Sequence, residues 1–324
     1  MCTAITKRFG NLYFGRTLDH TCSYGESVVV APRRFPLPFR HLETMKTHYA
    51  MVGVGIAQDD YPLYYDAVNE KGLAMAGLNF VRSACFGEVQ PGQDNVAQFE
   101  LPPWILGQCA DVAEAKALLK KFHLTNEGFA PGMPPARLHW ILADEQETVV
   151  LEVVEDGVHI YPDPVGVLTY EPPFPLQMLR LKDYMGLTSG MTDNRLSKEL
   201  PLQAYSRGMG ALGLPGDLSS QSRFARAAFM KLHAACGETE AERVGQFFHL
   251  LDTVKMVRGC CQVETGEEEY TIYQSCYHAR EGICYYTAYE NRRVHAVELR
   301  RENLDGEVLI SYPMIRETEF IIQN

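Results

Sequence analysis

The sequence has little basic charge, no apolar run of membrane-spanning length and no paired-cysteine motif, and each absence removes a class of function. Its 30 Lys and Arg stand against 41 Asp and Glu, a formal charge of −11, which opposes binding to a phosphate backbone. Nucleic acid is not an expected partner. No stretch reaches the roughly 20 apolar residues of a membrane helix, and the opening MCTAITKRFG is interrupted by polar residues from Thr3 onward, unlike a secretory signal. A cytoplasmic location is expected, with no membrane partner. The nine cysteines (Cys2, Cys22, Cys85, Cys109, Cys236, Cys260, Cys261, Cys276, Cys284) are scattered without a CxxC pair, so neither a disulfide framework nor a structural zinc site is expected. Most read as reduced core residues. The glycine-rich GMGALGLPGD lacks the Lys-Ser/Thr of a phosphate loop. No metal or cofactor is expected.

What is present is ordinary globular composition: 46% hydrophobic and 22% charged residues over 324 positions, enough for a sizeable core. The length admits two domains or one large layered unit. The first third is strand-like, with CTAIT, NLYFGR, ESVVVAP, YAMVGVGI and LYYDAV separated by turn residues. VNEKGLAMAGLNF reads as strand, turn at 69–72, strand. DVAEAKALLKKF reads as a helix capped by Asp111. LHWILAD and TVVLEVVED form a hairpin pattern, two helices are expected near 221–235 and 239–252, and EEYTIYQSCY, GICYYTAYE and RRVHAVELR return to strands. Strands, helices and strands without regular βαβ alternation predict α+β layers.

Cys2 stands directly behind the initiator. Removal of Met1 is permitted before so small a residue and leaves one residue carrying both a thiol and a free α-amine. The amine, with an ordinary pKa of about 7.7 to 8.0, can take the proton as sulfur attacks. Such chemistry needs a cation near the sulfur and a carboxylate to orient the amine. Arg16 and Asp19 in FGRTLDH are candidates, if NLYFGR folds back on CTAIT through a turn near 8–11. Spacing alone favours reading them as a surface ion pair after a strand.

MCTAITKRFGNLYFGRTLDH resembles the amino terminus of the choloylglycine hydrolase family, N-terminal-nucleophile hydrolases that include bile salt hydrolases and penicillin V acylases. DDYPLYYDAVNEKGLAMAGLNF, LHWILAD, GLPGDLSSQSRFARAAF, VKMVRG and YTAYENRRVHAVELRRENLDGE resemble family stretches in the family's order. The resemblance implies a four-layer αββα sandwich forming one domain over residues 1–324, with Met1 removed. It implies cleavage of a linear amide through a thioester on Cys2, flanked by Arg16 and Asp19. Asn79 is implied at the oxyanion hole through its backbone N–H, and Arg223 in support of the cysteine.

One departure concerns Tyr170 in VLTYEPPF, which stands where the family has an asparagine that helps hold the oxyanion. A phenol donates one hydrogen bond, from an oxygen farther from the backbone. RTLDH also departs at Thr17, and His20 replaces a residue that is often apolar; a place in the pocket wall or on the surface is expected for it. Asn79 favours the bile salt hydrolase branch, because penicillin V acylases often carry tyrosine there. By the same resemblance Leu18, Tyr24, Tyr65 and Phe129 are apolar walls and Gln58 a polar one, although each reads equally as core packing. The resemblance implies a conjugated bile acid substrate, glycine or taurine unspecified, and a homotetramer. Two alternatives stand beside it: an acylase for penicillin V or another N-acyl amide, and a catalytically weakened ligand-binding member.

Overall fold

The computed structural model describes residues 1–324. The chain opens with an antiparallel pair, β1 (Cys2–Phe9) and β2 (Asn11–His20), reversed at Gly10, whose φ of +88° suits a residue without Cβ. Cys2 pairs with Leu18 and Ala4 with Arg16. The pair belongs to a six-stranded sheet in the order β12 (Val167–Leu168), β1, β2, β13 (Tyr270–His278), β14 (Ile283–Ala288) and β15 (His295–Glu298).

A second sheet has eight strands, in the order β11 (Gly157–Pro162), β10 (Thr148–Val154), β9 (Leu138–Ala143), β6 (Ala74–Asn79), β5 (Tyr61–Asn69), β4 (Met51–Gln58), β3 (Ser27–Ala31) and β16 (Ile310–Pro313). A separate parallel pair joins β7 (Asp94–Ala97) to β8 (Phe122–Thr125). The helices are α1 (Leu101–Gln108), α2 (Val112–Leu118), α3 (Phe174–Leu181), α4 (Ser220–His233) and α5 (Glu240–Asp252).

Two apolar cores order these elements into layers. One joins Ile5 and Phe14 of the first sheet to Val52, Val54 and Val68 of the second, and continues to Phe224 of α4 and Phe247 of α5. The other packs Met75, Trp140 and Leu142 on the far face of the second sheet against Trp104 and Ile105 of α1 and Val112 of α2. The architecture is the αββα sandwich expected. Central strands are covered on both faces, which is why β13 is buried at every position and its apolar residues do not simply alternate.

The helices near 221–235 and 239–252 are present as α4 and α5. Asp111 caps α2 by accepting from the Glu114 N–H at 2.8 Å, a contact worth about 1 kcal/mol. α1 has no counterpart in the sequence reading. Its LPPWILGQ is buried on almost every side and so shows no polar face, and its prolines fall at the start, where the N–H groups have no helical partner.

Both sheets are interrupted near one end of β1. β13 shifts register against β2 between Thr271 and Tyr273, and β5 bulges against β4 at Tyr65, between the pairs Val54–Asp66 and Gly55–Tyr64. Such bulges re-aim side chains and free backbone groups.

Candidate active site

Alternation along β1 and β2 sorts the site into two faces. Cys2, Ala4, Arg16 and Leu18 are cross-strand partners on the face toward the second sheet, whereas Thr3, Thr17 and Asp19 face α4. The Cys2 side is only 3% exposed, with Sγ 3.9 Å from the Asp19 carbonyl oxygen.

Arg16 crosses to the second sheet. Pairing of β5 with β6 stops at Asp66–Ala76. One step further, Nη1 of Arg16 donates to the Tyr65 carbonyl at 3.4 Å and the Gly77 carbonyl at 2.5 Å. The guanidinium thus occupies the gap where the ladder would continue. Burial disfavours its charge, but Cys2, Tyr273, Asp66 and Asp19 together raise its pKa above the ordinary range. Asp66 is itself held by the hydroxyls of Ser275 at 2.6 Å, Tyr277 at 2.8 Å and Tyr273.

The same gap exposes a donor. The Phe80 N–H donates to the Arg137 carbonyl at 2.8 Å on the β9 side. The preceding N–H, that of Asn79, therefore faces the opposite way, past the end of the β5–β6 ladder.

On the α4 face, Asp19 is fully buried. Its carboxylate accepts from Thr271 Oγ1 at 2.6 Å and Thr17 Oγ1 at 3.0 Å, and lies 3.9 Å from Arg223 Nη1. That nitrogen also donates to the Cys2 carbonyl at 2.7 Å and to Thr3 Oγ1. Burial lowers the Arg223 pKa, with Asp19 opposing, yet a guanidinium stays charged. Met1 is present, and its amine donates to the Asp19 carbonyl at 3.0 Å and pairs with Glu269. Burial lowers that amine's pKa, opposed by Cys2 and Asp19.

The thiol opens into a cavity of about 440 Å³, a size suited to a bulky organic ligand. Cys2, Arg16, Leu18, Asp19, Tyr24, Tyr65, Asn79 and Phe129 all line it, as does His20. His20 contacts the Tyr24 hydroxyl at 3.4 Å, and burial lowers its pKa. Arg223 lies behind Cys2 rather than in the cavity. Gln58 and Tyr170 are outside the lining. Gln58 ends β4 opposite Tyr61, beside a tight turn at Asp59 and Asp60, so it belongs to a hairpin tip. Tyr170 follows β12 and is half-buried.

Sequence reasoning missed several wall residues, among them Ile56, Leu63, Phe99 and Leu138, which read as ordinary core positions. It also missed Glu269, one of three consecutive glutamates with nothing in the string to single it out.

Against this geometry stand the relatives. The family model for linear amide C–N hydrolases of the choloylglycine hydrolase family matches residues 2–312. A bile salt hydrolase/transferase of Lactiplantibacillus plantarum is 47% identical, with 100% of both chains covered. A conjugated bile acid hydrolase of Lactobacillus gasseri is 36% identical over 96% of this chain and 100% of the relative. A crystal structure of a mutant conjugated bile acid hydrolase from Clostridium perfringens superimposes with a TM-score of 0.92 at 31% identity, covering 100% of both chains. A penicillin V acylase from Agrobacterium tumefaciens, at 17% identity, shares the fold with a TM-score of 0.77 over 96% of this chain and 90% of that one. A layered αββα chain with a cysteine at the head of its first strand, matched from residue 2 to residue 312, belongs to the choloylglycine hydrolase family of linear amide C–N hydrolases.

Proposed function

We propose that the protein is a bile salt hydrolase that cleaves the amide of glycine- or taurine-conjugated bile acids through a thioester on Cys2. The observation that carries this reading is the Cys2 thiol at an apolar cavity, with Arg16 on its own face of the strand and Asp19 and Arg223 on the other. The relatives' printed names supply the substrate class.

With Met1 removed, the Cys2 α-amine takes the thiol proton as sulfur attacks the amide carbon. Arg16 attracts the negative charge developing on sulfur. The carbonyl oxygen becomes an oxyanion, stabilised by the Asn79 N–H, which faces the gap beside β5. The amine returns its proton to the leaving nitrogen, the C–N bond breaks, and a thioester remains. A water molecule, deprotonated by the same amine, then releases the bile acid and restores the thiol. Asp19 orients the amine, while Arg223 fixes the Cys2 carbonyl. Tyr170, at the family's asparagine position, lies outside the cavity lining and takes no part in this step.

Leu18, Tyr24, Tyr65 and Phe129 hold the acyl group, while Gln58, at a hairpin tip outside the lining, takes no part. The chain works as one domain over residues 1–324, in keeping with the core shared by both sheets, and as a cytoplasmic homotetramer. No helix is long and apolar enough to cross a membrane, and exposed Met185, Leu196 and Tyr205 offer apolar surface to further copies.

The test is release of glycine or taurine from conjugated bile acids by protein whose N-terminal mass is verified, with light scattering for the assembly. Turnover lost in Cys2→Ala supports the reading. Release of phenoxyacetate from penicillin V, with conjugated bile acids untouched, replaces the substrate class. Binding of bile acids with no turnover identifies a ligand-binding member.

A further inference from the structure

LHWILAD carries a histidine that the reaction above does not use. His139 lies in β9, fully buried, with its imidazole stacked on the Phe80 ring at 4.2 Å and 7°. Phe80 directly follows Asn79. His139 Nε2 is 2.7 Å from the Thr169 carbonyl oxygen, and Thr169 directly precedes Tyr170. A carbonyl oxygen only accepts, so Nε2 carries the hydrogen. Nδ1 faces Glu152 Oε1 at 3.1 Å, a contact that needs one hydrogen on the ring nitrogen or on the carboxyl, and that oxygen also accepts the Phe174 N–H at 2.9 Å.

The chain of contacts runs on to the nucleophile. Thr169 Oγ1 accepts from Ser220 Oγ at 2.9 Å and Gln177 Nε2 at 3.2 Å. Ser220 begins α4, whose Arg223 holds the Cys2 carbonyl. Apolar residues of equal size would pack this position, but none could tie a backbone carbonyl of the first sheet's edge to β9. A buried polar side chain with both ring nitrogens satisfied by two different segments fixes their relative placement.

We infer that His139 is a positioning residue for acyl transfer: it sets the Asn79 backbone donor against the Thr169–Tyr170 segment through the Phe80 stack and the Thr169 hydrogen bond. The inference rests on the reading of Asn79 as the oxyanion donor. A misplacement of this donor by about 1 Å costs on the order of 100-fold in rate.

The experiment compares His139→Gln, whose amide nitrogen reaches the place of Nε2, with His139→Asn, whose amide nitrogen reaches only that of Nδ1. Both are assayed on a conjugated bile acid, per titrated Cys2 thiol, and with a bile acyl aldehyde. The aldehyde takes up the Cys2 sulfur at carbon and the thiol proton at oxygen, forming a tetrahedral adduct that reports oxyanion stabilisation. The expected result for His139→Asn is a kcat lowered about 10- to 100-fold, KM within about threefold, and aldehyde affinity falling with kcat while binding of the free bile acid holds. His139→Gln restores most of both. Equal losses in the two variants, or folded His139→Asn with wild-type kcat and aldehyde affinity, overturn the inference. Should His139→Asn fail to fold, Phe80→Leu carries the test: parallel loss of kcat and aldehyde affinity supports the inference, and wild-type values overturn it. An active wild type whose Cys2→Ala variant is dead shows independently that the nucleophile reading stands; a wild type without turnover removes both.

Discussion

Arg16 and Asp19, three positions apart in β2, point to opposite faces of one sheet: the guanidinium reaches the Gly77 carbonyl of the second sheet, and the carboxylate reaches Thr271 and Arg223 beneath α4. The two charges therefore lie on opposite faces of the strand beside Cys2. Arg16 shares the thiol's face, and the Asp19 carboxylate lies on the other, 3.9 Å from the guanidinium that holds the Cys2 carbonyl.

The terminal residue gives the first prediction. Cys2→Ala is expected to lose all turnover and keep its circular dichroism and melting temperature, since the small side chain does chemistry rather than packing. A uniformly Met1-bearing sample is expected to be inactive as well, because the proposed base is then an amide. Intact-protein mass measured beside turnover checks both; full activity with Met1 in place rejects the mechanism.

The two-face arrangement gives the second. Arg16→Ala strands the Tyr65 and Gly77 carbonyls, and Asp19→Ala leaves Thr17 and Thr271 without their acceptor and Arg223 without its counter-charge. Each is expected to lower kcat by about 100-fold or more. Each also costs stability, about 1 to 3 kcal/mol for the unpaired carbonyls and about 3 to 5 kcal/mol for the broken buried pair. Spacing alone had allowed a surface pair with little effect on either. Urea unfolding run beside single-turnover acylation separates the two costs, and wild-type rates in folded variants remove these residues from the reaction.

The third prediction concerns Tyr170. Removing a true oxyanion donor costs about 10² to 10³ in rate, but Tyr170 lies outside the cavity lined by Asn79. Tyr170→Phe is expected to acylate within about twofold of wild type. Tyr170→Asn is expected to acylate faster, by restoring an amide at this position. A large loss in Tyr170→Phe, measured in single turnover, would make the phenol a working part of the site.

A fourth follows from the start of α4. The Asp217 carboxylate accepts from Ser222 Oγ at 2.6 Å and from the Ser219 N–H at 2.9 Å, and these bonds from Ser219 and Ser222 hold its pKa down to about 2. Its folded value lies below the unfolded one, so its contribution is complete above about 4 and is lost as pH falls through about 2. Wild type and Asp217→Asn are expected to converge in stability across that acid window. A constant difference in melting temperature between pH 5 and pH 2 argues against the assignment.

Local signals were the legible ones. The Gly10 reversal, the Asp111 cap and the short β-rich runs each act within a few residues, so the string displays them. α1 was hidden because LPPWILGQ has no polar face to set a period. The cavity was only partly legible for another reason. Phe99, Leu138 and Ile56 reach it from separate elements, and nothing local distinguishes such a wall from core. Gln58 shows the converse: it was placed in the wall by analogy, but a hairpin tip carries it outside the lining. Face assignment also needed structure, since strand alternation separates Arg16 from Asp19 only once the register against Cys2 is known.

The gap between β5 and β6 ties strand register to charge. The carbonyls of Tyr65 and Gly77 lie just past the last β5–β6 pair, Asp66–Ala76, and a single guanidinium reaches both. An apolar residue at position 16 would leave both carbonyls without this donor, and only a ladder continued to the end of β6 would cover the Asn79 N–H. The cation, the bulge at Tyr65 and the open strand edge meet at this one place in the fold. A scaffold redesigned to close its sheet there would cover the donor that the proposed reaction uses.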